Sequence, residues 1–287
     1  MTESLDQSQS KPLEGASLGT RSAGRPRLAP ALREALLLLA PSTITLAVLL
    51  GILQAWSSLA KVPPYILPAP SAVLQRLFAD PAFYLQEGLI SLGEAMAGLV
   101  LGGSVAVGLG ILMAHWRALE RGLFPLAILV KVTPVVALAP LFIIWFGFGP
   151  APKILVAALI CFFPLLANSV TGFRSVNPRL LDLFQSLNAS PTQVFIKLRA
   201  PSALPYLLAA LKITVPLSVI GAVVAEWLGA DRGLGHVIFL ANTNLDMPGL
   251  FAAIAVLAAM GILLTILIWL AERRFLFWHE SNLSQER

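Results

Sequence analysis

The chain has 287 residues, of which 57% are hydrophobic and 12% charged, whereas soluble domains carry about 25% charged residues. That deficit excludes an ordinary water-soluble domain and points to the bilayer. The net charge of +5 does not indicate a nucleic-acid partner here, because Lys and Arg also mark the cytoplasmic flanks of membrane spans.

Residues 1–30 are rich in Ser, Gly, Pro and charge, and read as a disordered cytoplasmic tail. The first apolar run begins too late and is too long for a signal peptide. A bilayer-crossing helix needs about 20 mostly apolar residues, and six segments qualify: 35–55, 88–114, 123–146, 153–173, 203–228 and 249–271. The predicted fold class is all-α: a polytopic membrane protein with six transmembrane helices in a domain over 31–275. Residues 276–287 form a short cytoplasmic C-terminal tail. Six spans return both termini to one side. Fourteen flanking Lys and Arg fall on that side, among them Arg117, Arg121, Arg174, Arg179, Lys197 and Arg199. Only Lys61, Arg76, Lys153 and Arg232 fall on the other. The excess marks the cytoplasm.

The second span carries Gly98 and Gly102 as a G-x-x-x-G pair, with Ala106 and Gly110 continuing the stripe; small residues at this spacing let two helices approach closely. Pro134, Pro140, Pro164 and Pro216 lie inside spans, and each frees the carbonyl four residues earlier from its helical donor. Cys161, the single cysteine, sits in an apolar run as a small buried hydrophobe.

Four ionisable residues fall within spans: Glu94, Lys131, Lys212 and Glu226. Each costs about 2.5–3.5 kcal/mol on insertion scales. Lys131 and Lys212 lie ~12 Å inside the cytoplasmic ends of their spans, either snorkelling toward the interface or lining a path. Glu226, in "VVAEWLG", lies close enough to the outer end to be wet. It shares a helical face with Lys212 but is ~21 Å away along the axis, too far to pair. Lys131, Lys212 and Glu226 are the candidate path-lining residues.

The connection after the fourth span is long for a helical bundle. Leu180, Leu181, Leu183, Phe184 and Leu187 suit one short helix, and Val194, Phe195 and Leu198 another. Between them Ser190 is placed as an N-cap, with Pro191 at the first helical position and Gln193 at the third. The predicted result is a cytoplasmic helical elbow over 176–202, too small for an enzyme domain but able to dock in a partner's groove.

This elbow resembles the signature of binding-protein-dependent ABC importer permeases, E-A-A, three residues, G, nine residues, I-x-L-P. Asp182, Leu183 and Phe184 occupy the E-A-A positions, Asn188 the glycine, and Leu198, Ala200 and Pro201 the I-x-L-P positions. Asn is the residue besides glycine that best tolerates a left-handed turn. "LPAPSAVLQRLF" (67–78), "APLFIIWFGFGPAPKI" (139–154) and "VIGAVVAEWLGADRGLGHVI" (219–238) are similar to segments of the nitrate, taurine and aliphatic-sulfonate subfamily and of its thiamine-pyrimidine-precursor and riboflavin relatives. The resemblance runs from about residue 40 to the C-terminus.

It implies a permease in the cytoplasmic membrane, embedded in lipid and paired with a second copy as a homodimer. Cytoplasmic ATP-binding subunits would power it, and an extracytoplasmic solute-binding protein would feed it. The coupling contact would fall on Asp182, Leu183, Phe184, Leu187, Asn188 and Ala189, with Leu198 and Pro201 behind them. The cargo would be a nitrate-, sulfonate- or taurine-type anion, or a pyrimidine or vitamin precursor. The chain has no G-x-x-x-x-G-K-[ST], H-E-x-x-H or G-x-S-x-G, so no cofactor or metal is expected. His115, His236 and His279 are scattered. The competing class is a self-sufficient secondary transporter or channel; an intramembrane enzyme lacks any nucleophile–base or metal arrangement.

Overall fold

The computed structural model describes residues 28–60 and 62–275. They form eleven α-helices: α1 Leu28–Leu59, α2 Pro70–Ala79, α3 Pro81–His115, α4 Arg117–Val132, α5 Val135–Phe146, α6 Pro150–Arg174, α7 Pro178–Ser186, α8 Pro191–Val194, α9 Ala200–Gly229, α10 Leu234–Thr243 and α11 Met247–Phe275. No strand occurs among the described residues, so the all-α class holds. The chain divides into two units, Met1–Ile52 and Leu53–Arg287. In the first, the helix begins at Leu28, and Ile44, Leu46, Val48 and Ile52 are exposed apolar side chains. The tail expected over 1–30 lies outside the described residues apart from Leu28–Pro30, which are helical; the tail expected over 276–287 lies outside them altogether.

In the second unit, α3, α6 and α9 pack against one another as a central group. Apolar side chains gain little by leaving lipid for protein, so close fit must hold such helices together. The glycine stripe of α3 supplies it. A Cβ on Gly98 would come within 2.7 Å of Ile154 O, and one on Gly102 within 2.9 Å of Ala158 Cα. Ala106, Ala157, Ala210 and Ala222 are fully buried. Met113, Leu165, Leu166 and Val170 fill the space toward the end where α3 and α6 finish. The outer faces carry Val100, Ile144 and Leu263, all more than half exposed, as helices bathed in hydrocarbon require.

Among the described residues four stretches are long and apolar enough to cross a membrane: Pro81–His115, Pro150–Arg174, Pro191–Gly229 and Met247–Arg274. They contain four of the six expected segments. The segment expected as one span over 123–146, with Pro134 and Pro140 inside it, is α4 and α5, bent by 93°. The cause is local. Thr133 precedes Pro134 and is driven out of the helical region, to φ −62° and ψ 128°. Pro134 itself has no N–H to continue the ladder. Counted as one span, the pair raises the number to five.

A further departure lies at the end of the elbow. The sequence separates a second elbow helix from the span beginning at 203. In the structure Pro191–Gly229 runs as 39 continuous helical residues, with a π-helical turn at Phe195–Arg199. Pro201 cannot donate to Lys197, and Ala200 N–H reaches back to Phe195 O. A one-residue widening therefore absorbs the proline without breaking the helix.

Candidate functional site

The elbow is built from local signals. Asn177 accepts from Arg179 N–H and starts α7. At its end Asn188 takes φ 52°, Asn188 N–H donates to Gln185 O at 2.9 Å, and Ala189 N–H to Phe184 O at 3.0 Å. These bonds are a Schellman ending with asparagine at the left-handed position. Ser190 and Gln193 then form a reciprocal capping box. The chain thus reverses within Leu187–Ser190 with its backbone donors satisfied.

The two arms of the elbow differ in burial. Phe195 stacks on Phe173 at 5.8 Å and lies 6.0 Å from the His115 ring. Leu198 is buried, whereas Pro201 is exposed beside it. No helix packs extensively along α7 among the described residues. Leu180, Leu183 and Leu187 are 44%, 50% and 68% exposed. Asp182 and Asn188 are exposed, while Phe184 and Ala189 are half-buried. One arm is rooted in the bundle, and the other offers an apolar face to whatever lies beyond. Just above, Arg174 donates to Glu120 Oε1 at 2.7 Å and to Met113 O at 2.7 Å, tying the ends of α3, α4 and α6 together.

The path-lining candidates are not brought together. Lys131 is exposed on α4, its Nζ 4.7 Å from the centre of the Phe163 ring. Lys212 forms an ion pair with Glu272 of α11, a partner that sequence spacing could not suggest across 60 residues. Glu226 is 0% exposed, which corrects the expectation of a wet residue near the outer end. Its Oε2 accepts from Ser91 Oγ at 2.9 Å and from Gly235 N–H at 2.6 Å.

Around Glu226 lies a buried polar cluster that sequence reasoning found only in part. Lys153, expected as an outer flanking charge, is 6% exposed and donates to Glu94 Oε1 at 2.9 Å. Leu234 N–H donates to Ser91 Oγ at 2.8 Å, and Gly233 N–H to Glu87 Oε2. Arg232 pairs with Glu87 at 3.0 Å. The first N–H groups of α10 thus meet two carboxylates and a hydroxyl, a favourable match to the positive helix end. Gly233 has φ 103°, and a Cβ there would strike the Glu226 carboxyl. Outside this cluster a cavity of about 450 Å³ is lined by Arg76, Tyr84, Glu87, His236 and Asp246. Among the described residues no three His, Cys, Asp or Glu side chains are grouped to hold a metal.

Residues 106–276 match the family described as binding-protein-dependent transport system inner membrane component. A formylaminopyrimidine transport permease protein of Halalkalibacterium halodurans is 38% identical over 76% of this chain and 88% of its own length. A riboflavin transport system permease protein of Chloroflexus aurantiacus is 36% identical over 83% and 90%. The fold is similar to that of a chain in inward-facing structures of the MetNI methionine ABC transporter. There the TM-score is 0.59 at 16% identity, over 67% of this chain and 96% of that one.

Proposed function

This chain belongs to the family of binding-protein-dependent transport system inner membrane components, and from that premise we propose how it couples to its motor and what it carries. It is the permease subunit of an ATP-driven importer of small solutes, a multi-pass protein of the inner membrane. ATP is hydrolysed on separate ATP-binding subunits, and a binding protein delivers the solute; the permease itself is not an enzyme.

The observation that carries the coupling proposal is the exposed apolar face of α7 at Leu183 and Leu187. A nine-residue helix does not hold itself together in water, and this one has no extensive packing within the protomer. A groove on the ATP-binding subunit is the complement. Asp182, Leu183, Phe184, Leu187, Asn188 and Ala189 form the contact. Leu198, buried, and Pro201 beside it carry displacement into α9. Closure of the ATP-binding pair draws two such elbows together and opens the path outward; hydrolysis resets it. This mechanism needs a second permease copy, six spans with α1 as the first and α4–α5 as the third, and both termini in the cytoplasm. Lys131 and Lys212 remain the candidates for the path, because both are exposed; Glu226 is assigned to the interior of the protomer.

The proposed cargo is a pyrimidine or vitamin precursor, on the strength of the two relatives above. Leu183→Asp should abolish co-purification of the ATP-binding subunit and solute-stimulated ATP hydrolysis, with membrane insertion unchanged. Normal association would reduce the elbow to a linker. Stimulation by binding protein loaded with an aliphatic sulfonate, and none with a pyrimidine, would overturn the cargo assignment.

A further inference from the structure

Among the described residues only two buried side-chain oxygens or nitrogens lack a hydrogen-bond partner: Glu94 Oε2 and Glu226 Oε1. The two carboxyl groups come from two helices to one place: Ser91, one turn before Glu94 on α3, donates to Glu226 of α9. The remaining oxygen of each is well supplied. Glu94 Oε1 takes the Lys153 ammonium, and Glu226 Oε2 takes Ser91 Oγ–H and Gly235 N–H. What is missing is a donor between the two orphans.

The charges lead to the same place. The groups facing this pair are Lys153 from α6, Ser91 and Glu87 from α3, Arg232 from the loop before α10, and the N–H groups of Gly233–Gly235. His236, half-buried, and Asp231, exposed, flank them at the rim of the outer cavity. Glu87 is balanced by Arg232, and one carboxylate of the pair by Lys153. One negative charge is left over in a place with almost no water: Glu94 and Lys153 are 7% and 6% exposed and Glu226 is 0%. An unbalanced buried charge is far more costly than a neutral group, and two carboxylates that share one buried site do not both stay ionised.

We propose that Glu94 and Glu226 form a proton-binding site, holding one hydron between Glu94 Oε2 and Glu226 Oε1, so that the Lys153–Glu94–Glu226 cluster is neutral. The proton completes both carboxyl groups. It also fixes Glu226, which anchors Gly235 and with Ser91 holds the start of α10 against α3 and α9. When the proton leaves, two like charges face one another between α3 and α9, beside the start of α10. The site binds H⁺ reversibly, and no covalent step beyond protonation is involved.

The test is infrared spectroscopy of the full-length chain in an ester-free detergent, with thermal melting at several pH values. The wild type should show the C=O stretch of a protonated carboxyl at neutral pH. In Glu226→Gln and Glu94→Gln the amide N–H supplies the missing donor permanently, so both variants should fold, and both should lose that band. With that proton bound, the folded wild type holds one more proton than the unfolded chain above the ordinary carboxylate range, so its melting temperature should fall as pH rises through neutrality. In the Gln variants this slope should vanish. A wild type without the band at neutral pH would overturn the proposal, since a bridging water would leave both carboxylates ionised. So would retention of the band in folded Glu226→Gln and Glu94→Gln, or failure of both variants to fold.

Discussion

The end of the bundle that holds Glu226, called outer after its proposed orientation, and the elbow after α6 are opposite solutions to placing polar chain beside a membrane. At the outer end, Glu87, Glu94, Lys153 and Glu226 are all less than 10% exposed and are bound into neighbouring helices by side-chain hydrogen bonds. At the elbow, Asp182, Leu183 and Leu187 are exposed, and α7 leans on no other helix to any extent among the described residues. The outer end spends its charges on holding α3, α6, α9 and α10 in one arrangement. The α7 arm of the elbow completes its own backbone bonds and leaves most of its side chains for something else. Substitutions at the first should therefore change stability, and at the second association.

The sharpest way to break the contrast is Lys153→Met. It strands the Glu94 carboxyl without its cation, and breaking a buried pair costs about 3–5 kcal/mol; the purified permease should melt well below the wild type. An unchanged melting temperature would mean that the outer cluster is not what holds the bundle. Next comes Gly235→Ala, whose Cβ would sit 2.7 Å from Glu226 Cβ and hard against Val223 O. Overpacking of this kind costs about 1–3 kcal/mol, and protease cleavage within 230–246 should rise with it. Asn188→Val acts at the elbow through the backbone alone. It places a β-branched residue at φ 52°, a cost of roughly 1–2 kcal/mol, and it should weaken binding of the ATP-binding subunit by loosening α7 rather than lower the melting temperature of the spans. The smallest stability effect belongs to Leu183→Asp, within about 0.5 kcal/mol as for other surface changes, although co-purification of the ATP-binding subunit should be lost. A large drop in its melting temperature would show that α7 is packed after all.

The elbow was legible because its signals are local. Asn188, Ser190, Pro191 and Gln193 lie within six residues of one another, and each specifies its own turn or cap. The glycine stripe was legible for the same reason: a four-residue repeat reports which face of α3 is small. The outer cluster was not, because its partners are distant in the chain. Lys153 meets Glu94 across 59 residues and Glu226 meets Ser91 across 135, so Lys153 counted as a flanking charge and Glu226 as a wet one. Helix α10 escaped because its ten residues are too few for a span. Pro134 announced an interruption but not its angle, since a pre-proline residue is barred from the helix without being told where to point the chain.

The π-turn at Phe195–Arg199 gives the long helix from Pro191 to Gly229 a fixed angular offset between its two ends. One extra residue in a turn corresponds to about 100° of rotation about the axis. The face that carries Thr192 and Phe195 is thereby out of phase with the face that Ala203, Leu208 and Thr214 bury in the bundle. Because the helix is unbroken, α8 and α9 form a single crankshaft with an offset throw. A displacement at its Pro191 end would reach the far end as twist as well as tilt, and that far end is where Glu226 grips the start of α10.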